Sequence, residues 1–273
     1  AISPILYAGI LLLRVGLLFK VGAPPFHFRT PDVYDGAPIV ITTYMSTVVK
    51  VASFAGFIKL FSYVFSPLHD FWTPVLLVVM VITLFVGNIT ALMQTSFKRM
   101  LAYSSISHAG YMLFAIIALG AHANSSIFTY GFAYSLASVA AFAGLILVKR
   151  SHGSDHFVAF DGLGKRNPFL ALVITVAMLS LAGIPLTAGF IGKFMLFRSA
   201  MADYHIILLL LAVVNAAIGV YYYLRVVVHM YFYSGDENDE KLIVPMGFQV
   251  VLIITLVLTV LVGVYPNYIS SLL

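Results

Sequence analysis

Cysteine is absent from the 273-residue sequence, which excludes disulfides, iron–sulfur clusters and thiolate metal sites and leaves the redox compartment unread. Charge is scarce: 9% of the residues are Asp, Glu, Lys or Arg, where a soluble domain carries about 25%. Acidic residues are missing from the apolar runs altogether. All ten (Asp32, Asp35, Asp70, Asp155, Asp161, Asp203, Asp236, Glu237, Asp239 and Glu240) fall in connections or at the ends of runs. Hydrophobic residues make up 62% and the mean hydropathy is +1.03. A soluble domain of this length needs a polar surface that such a composition cannot supply, whereas lipid demands none. The sequence pI is about 9.3, yet Lys and Arg sit between or inside apolar runs. That is a membrane-topology pattern and not a phosphate-binding patch, so nucleic acid is not an expected partner. An initiator methionine and a basic, cleavable leader are also lacking before the first apolar run at Ala1, which reads as a chain without its N-terminal portion.

A transmembrane helix needs about 20 mostly apolar residues. Stretches 2–28, 37–65, 73–93, 97–119, 126–148, 167–201, 204–233 and 246–265 qualify. The sequence therefore predicts a single all-α, polytopic membrane domain over residues 1–273, with about eight helices. Alternate connections carry Lys98 and Arg99, then Lys149, Arg150, Lys165 and Arg166, then Lys241 with Arg225 just before it. The positive-inside rule puts that basic set on the cytoplasmic side and both ends of the chain on the other.

Several cations do not lie in connections. Lys20 and Lys50 stand fifteen residues on either side of Asp35, about 20 Å of helix from that turn and so near the membrane midplane. Lys193 lies deep in the sixth stretch, Arg14 inside the first, and Lys59 towards the outer end of the second. A cation at the bilayer centre costs about 2.5–3.5 kcal/mol even on the lenient insertion scale. Snorkelling to an interface accounts for Lys59 and is one of two readings of Arg14. For Lys20, Lys50 and Lys193 the expectation is a hydrated interior in which desolvated amines release and rebind protons. Thr43, Ser46, Thr47, Lys50 and Ser53 recur on one helix face, and Tyr103, Ser104, Ser107, His108 and Tyr111 form a second polar stripe. Within that stripe His108 is either an interhelical hydrogen-bonding group or a shuttle between lysines. The eight histidines offer no facing pair at matched depth for haem.

Two stretches are broken. LLFKVGAPPFHF places Pro24 and Pro25 just after Lys20, and LAGIPLTAGFIGKF places Gly183, Pro185, Gly189 and Gly192 just before Lys193. Non-helical backbone at this depth is tolerated only inside protein or beside a cavity. The breaks lie five stretches apart, so their helices cross in opposite directions, as in an inverted five-helix repeat with two discontinuous helices.

FKVGAPPFHFRTPDVYDGAP, KRMLAYSSISHAGYML, LAGIPLTAGFIGKF and AIGVYYYLRV, in that order, resemble the antiporter-like membrane subunits of respiratory NADH–quinone oxidoreductase. The lysine of GFIGKF points to the N type among them. The resemblance runs over essentially the whole chain. It implies the last eight helices of a fourteen-helix subunit, a cell inner membrane, and other membrane subunits as hetero-oligomeric partners. It implies Lys20, Lys50 and Lys193 as proton-carrying residues with His108 between them, and a glutamate on an earlier helix paired with Lys20. NADH and quinone are then used elsewhere in the complex; this chain binds no cofactor or metal and does no redox chemistry of its own. Arg29 and Arg14 depart from the family pattern, which has tryptophan and an apolar residue there. The competing expectations are a free-standing cation/proton antiporter, a membrane-bound hydrogenase subunit using the same lysines, and a purely structural anchor. Lys193 in place of glutamate, and the lack of any acid in a span, argue against the antiporter.

Overall fold

The structure is a computed structural model that describes residues 4–118, 123–201, 206–235 and 242–266. Asp203, Asp236, Glu237, Asp239, Glu240 and Lys241, with His122 and His205, lie outside them. The described chain is all helix apart from loops and turns, with one isolated backbone bridge between Ser96 and His156. Pro4–Val21 forms α1, and helix stops where Gly22 turns at φ +77° and Pro24 and Pro25 bring no backbone donors. Seven residues later comes a short polar α2, Arg29–Gly36, which carries Asp32 and Asp35. The second crossing is continuous but uneven: α3 (Ile39–Tyr44) leads through a π-helical turn, Met45–Val49, into α4 (Lys50–Lys59), and a second π turn, Leu60–Val64, ends it. Lys50 directly follows the first of these turns. Then come α5 (His69–Leu92), α6 (Phe97–Ala118) and α7 (Ala123–His152).

A four-residue α8, Leu163–Arg166, precedes the sixth crossing, which is split into α9 (Pro168–Ala182) and α10 (Ala188–Met201). Asn167 caps α9, accepting from the Leu170 amide at 2.9 Å, with Pro168 at the first helical position. The bundle ends with α11 (Ile206–Phe232) and α12 (Met246–Val264). Seven described helices are long and apolar enough to cross a membrane; the split pair α9–α10 makes the remaining crossing, sixth in chain order. The breaks thus fall in the first and sixth crossings, whose helices run in opposite directions.

Helix α6 is the axis, buried around almost its whole circumference. It packs against α5, α7 and α10, while α7 also meets α9, α10 and α12, and α11 lies on α5 and α9. Exposed Leu, Val and Ile on α1, α11 and α12 face outwards, the arrangement that a lipid surround requires. Phe61, in the π turn after α4, meets α5 through an edge contact with Trp72, ring centroids 5.0 Å apart.

At the end that carries the basic residues, a polar cap ties the loops together. Arg99 pairs with Asp35 at 3.2 Å, Lys149 with Asp155 at 2.8 Å, and His229 Nδ1 with Asp161 at 2.6 Å. Asp155 also accepts the Phe97 amide through its backbone oxygen at 2.8 Å, fixing the start of α6. Burial acts to raise the Asp155 carboxyl, but the hydrogen bond and charge of Lys149 outweigh it and hold the group below the usual carboxylate range.

A Cβ on Gly87 of α5 would stand 2.5 Å from the backbone nitrogen of Ser107 on α6, so Gly87→Ala has to push α5 and α6 apart. It is expected to cost about 1–3 kcal/mol, read as a lower thermal midpoint in detergent. Because the folded Asp155 carboxyl is held low, its clasp with Lys149 contributes fully above the ordinary carboxylate pKa and is lost as pH falls through the folded value. The stability gap between the native protein and Asp155→Asn should therefore be widest near neutrality and close on acidification; a constant gap would contradict the ion pair.

Candidate functional site

Three of the four residues singled out in the sequence converge on α6. Lys50, His108 and Lys193 are buried, with 3%, 3% and 6% of their surface exposed. Lys50 Nζ donates to the Ser105 carbonyl oxygen of α6 in a very short contact. His108 lies three residues further along the same helix. Its Nδ1 is 2.5 Å from the Tyr130 hydroxyl of α7, and its Nε2 is 2.9 Å from the Tyr223 hydroxyl of α11. Three residues further again, the Tyr111 ring lies beneath Lys193 Nζ, 5.1 Å from ring centroid to nitrogen. Ser105, His108 and Tyr111 thus span about 9 Å along one side of one helix.

Lys193 is held by the helix break itself. Gly183 adopts φ +85° and ends α9; its amide and that of Ile184 return to Leu179 and Ser180. The last two carbonyls, Leu181 and Ala182, stay free of that turn and accept from Lys193 Nζ at 3.0 and 2.7 Å. They also form the negative end of the helix dipole. A Cβ at Gly183 would come within 2.8 Å of Lys193 Cδ, so the glycine serves both the turn and the lysine. Ser180 closes the other side, its hydroxyl accepting from the Gly189 amide at the start of α10 at 3.0 Å.

Lys20 is placed differently. It is exposed at the C-terminal end of α1 and makes no hydrogen bond or ion pair among the described residues. Arg14 is buried rather than snorkelling: it is 2% exposed and donates to the Trp72 carbonyl at 2.8 Å. Arg29 is exposed beside the Phe19 ring. Lys98, read from sequence only as a connection residue, is buried and donates to the carbonyls of Asp35 and Ala37, both at 2.6 Å.

The hydroxyl stripes have a narrower role than their spacing implies. Thr43, Ser46, Thr47, Ser53, Ser104 and Ser107 each donate to a carbonyl three or four residues back on their own helix. Their protons are therefore committed locally, and the stripes present acceptor lone pairs. The sequence reading missed the tyrosines that bracket His108. It also missed the chain from Tyr222, which donates to Asn88 at 2.9 Å, to Asn215, which accepts from Asn88 at 3.2 Å. Two asparagines alone in apolar runs were the available signal. Among the described residues no cluster of His, Asp and Glu could hold a metal ion.

Residues 2–219 match the family described as NADH:quinone oxidoreductase/Mrp antiporter, TM. NADH-quinone oxidoreductase subunit N of Trichlorobacter lovleyi is 42% identical over 270 residues, 98% of this chain and 55% of its own length. The protein of the same name from Cytophaga hutchinsonii is 42% identical over 266 residues, 97% of this chain and 58% of its own. This chain thus spans a little over half the length of these relatives. A chain of respiratory complex I from Thermus thermophilus superposes with a TM-score of 0.83 at 34% identity, over 98% of this chain and 59% of that one. A chain of the Mrp complex from Dietzia sp. gives a TM-score of 0.83 at 17% identity, over 92% of this chain and 55% of that one, a likeness of fold alone. With the family matched over most of its length and the broken-helix bundle shared, the chain belongs to the NADH:quinone oxidoreductase/Mrp antiporter transmembrane family.

Proposed function

We propose that this chain is an N-type membrane subunit of NADH–quinone oxidoreductase and that it carries protons along Lys50, His108 and Lys193. The observation that carries this reading is the arrangement on α6: two buried amines without carboxylate partners meet the helix one turn before and one turn after a buried imidazole, at Ser105 and Tyr111. A neutral imidazole donates at one nitrogen and accepts at the other, and tyrosine hydroxyls can do either. Tyr130, His108 and Tyr223 therefore form a unit through which a proton can enter at one ring nitrogen and leave from the other. Carbonyl oxygens stabilise an ammonium but cannot take its proton, so a loaded lysine waits for a base to approach. Lys20, exposed on α1, is the entry point on this reading, with a carboxylate from another helix set against it. Redox chemistry elsewhere in the complex, where NADH and quinone react, would change the charge beside Lys20 and start the transfer.

The same reading sets the chain in a cell inner membrane among other membrane subunits. The face with Lys98, Arg99, Lys149 and Arg225 is then cytoplasmic and both chain ends lie on the opposite side.

Lys193→Ala in the complete complex is expected to abolish pumping through this path while assembly persists. The readout is the proton-to-electron ratio in reconstituted vesicles, and an unchanged ratio overturns the relay. Lys50→Arg keeps the charge but cannot release a proton near neutrality. It is expected to lower coupled turnover by about 10²-fold, the lower end of what a positioned proton-transfer group contributes. Full activity would mean that charge alone matters at that position.

A further inference from the structure

Which ring nitrogen of His108 carries the hydrogen depends on what lies behind its two tyrosines. Behind Tyr223 stand Tyr222, Asn88 of α5 and Asn215 of α11, groups that the relay does not use. All four are at most 1% exposed, so what encloses them is this chain itself. Asn88, Tyr222 and Tyr223 meet above Gly219. A Cβ there would stand 3.6 Å from Asn88 Oδ1, 3.6 Å from the Tyr222 hydroxyl and 3.8 Å from Tyr223 Cε2.

Main-chain carbonyls give this cluster its polarity, because a carbonyl accepts hydrogen bonds and never donates them. Asn88 Nδ2 donates to the Leu84 carbonyl at 3.0 Å, and Asn215 Nδ2 to that of Leu211 at 2.9 Å. Both amides are thereby fixed in orientation. Asn88 Nδ2 also donates to Asn215 Oδ1 at 3.2 Å. Asn88 Oδ1 is left facing Tyr222, 2.9 Å away, and that hydroxyl has to donate. With its proton committed, Tyr222 offers Tyr223 only lone pairs. The two rings are neighbours, 4.4 Å between centroids, and their hydroxyls interact. Ser104, the other hydroxyl that interacts with Tyr223, donates to the Leu101 carbonyl, so it too can only accept. Among these neighbours the one group able to donate to Tyr223 is the imidazole, with Nε2 at 2.9 Å.

We propose that Asn88 is a positioning residue: through Tyr222 and Tyr223 it holds neutral His108 with its hydrogen on Nε2, leaving Nδ1 as the base that faces Tyr130. The opposite tautomer makes Tyr223 donate to Nε2 and leaves the Tyr223 oxygen without a donor, one hydrogen bond fewer. A histidine tautomer is set by the bond its other nitrogen makes; here that bond is decided two side chains further on, at an amide on another helix. Tyr130 in turn lies against the broken crossing, since a Cβ at Gly192 would stand 2.9 Å from its Cδ2. The basic nitrogen is therefore turned towards the helix that carries Lys193. An amide oxygen accepts a hydrogen bond but does not take up the proton. A proton can thus leave His108 through Tyr223 only after a hydroxyl beyond it turns, and the Asn88 bond resists that turn. The consequence for pumping rests on the relay reading; the tautomer itself does not.

Nitrogen NMR of the complete complex carrying isotope-labelled histidine tests it in mildly alkaline buffer, the His108 signals being those lost in His108→Gln. The native complex is expected to show the Nε2–H tautomer. Asn88→Leu frees the Tyr222 proton to point at Tyr223, so the preference for that tautomer is expected to fall about fivefold, equivalent to roughly 1 kcal/mol for one neutral hydrogen bond. Asn215→Leu keeps the Asn88 oxygen and its Leu84 anchor, and should leave the tautomer ratio native. An Nδ1–H or doubly protonated ring in the native complex overturns the proposal, whether or not the variants assemble. So does an unchanged ratio in Asn88→Leu. An equal shift in Asn215→Leu overturns it too, because the amide pair would then act only by holding α5 to α11. The proton-to-electron ratio, expected to fall in Asn88→Leu, reports on the relay separately. A shifted tautomer with native pumping would sink the relay through His108 and leave the role of Asn88 standing.

Discussion

An ammonium or guanidinium group placed in hydrocarbon with no carboxylate to pair with can be held only by oxygen atoms that the backbone has to spare. This bundle meets that constraint repeatedly. Arg14 takes the Trp72 carbonyl, Lys50 that of Ser105, and Lys193 those of Leu181 and Ala182; Lys98, at the basic end and near the Asp35 carboxylate, uses the carbonyls of Asp35 and Ala37 in the same way. Two of these arrangements exploit helix C-termini, where carbonyls lack intrahelical donors and the dipole is negative. The end of α2 serves Lys98 and the end of α9 serves Lys193. The interruption of the sixth crossing is therefore what makes its lysine tolerable at that depth, and breaking the helix and burying the amine are one structural decision.

The same constraint explains why α6 is so thoroughly enclosed. It presents a carbonyl to Lys50, an imidazole to a pair of tyrosines and an aromatic face to Lys193 within two turns, and each of those partners comes from a different helix. Bringing α4, α7, α10 and α11 together around such a short segment leaves no room for lipid against it. The tight approach of α5, with Gly87 against Ser107 and Gly110 against Leu84, completes the enclosure. Small residues do here what they do in membrane helices generally: they let backbones come close where the hydrophobic effect offers no drive for association.

Much of this was legible in the residues. Length and apolarity placed the crossings; the Gly–Pro clusters placed both breaks; the burial of Lys50, His108 and Lys193 agrees with their positions inside apolar runs. The cap at the basic end was visible only as scattered charges, because Asp155, Asp161 and His229 meet through loops whose course no local pattern dictates. Lys20 shows the converse. Its spacing from Asp35 matches that of Lys50, yet among the described residues it lies exposed on α1 while Lys50 is enclosed. Depth along a helix can be counted, but azimuth depends on which neighbours pack against it. Arg14 shows the same ambiguity, since burial and snorkelling were equally compatible with its position in the run.

The sequence by itself determined that the chain crosses a membrane as a helical bundle, where two of its helices fail, and which amines are stranded without acids. These follow from composition and from a period of 3.6 residues, which are local properties. The tertiary structure decided what holds each amine. Carbonyls of residues far away in sequence, two tyrosine hydroxyls on separate helices and one aromatic ring meet around α6 only once the helices have packed. No short-range rule encodes those meetings, because a carbonyl is present at every residue and becomes a ligand only where a break or a neighbouring helix presents it.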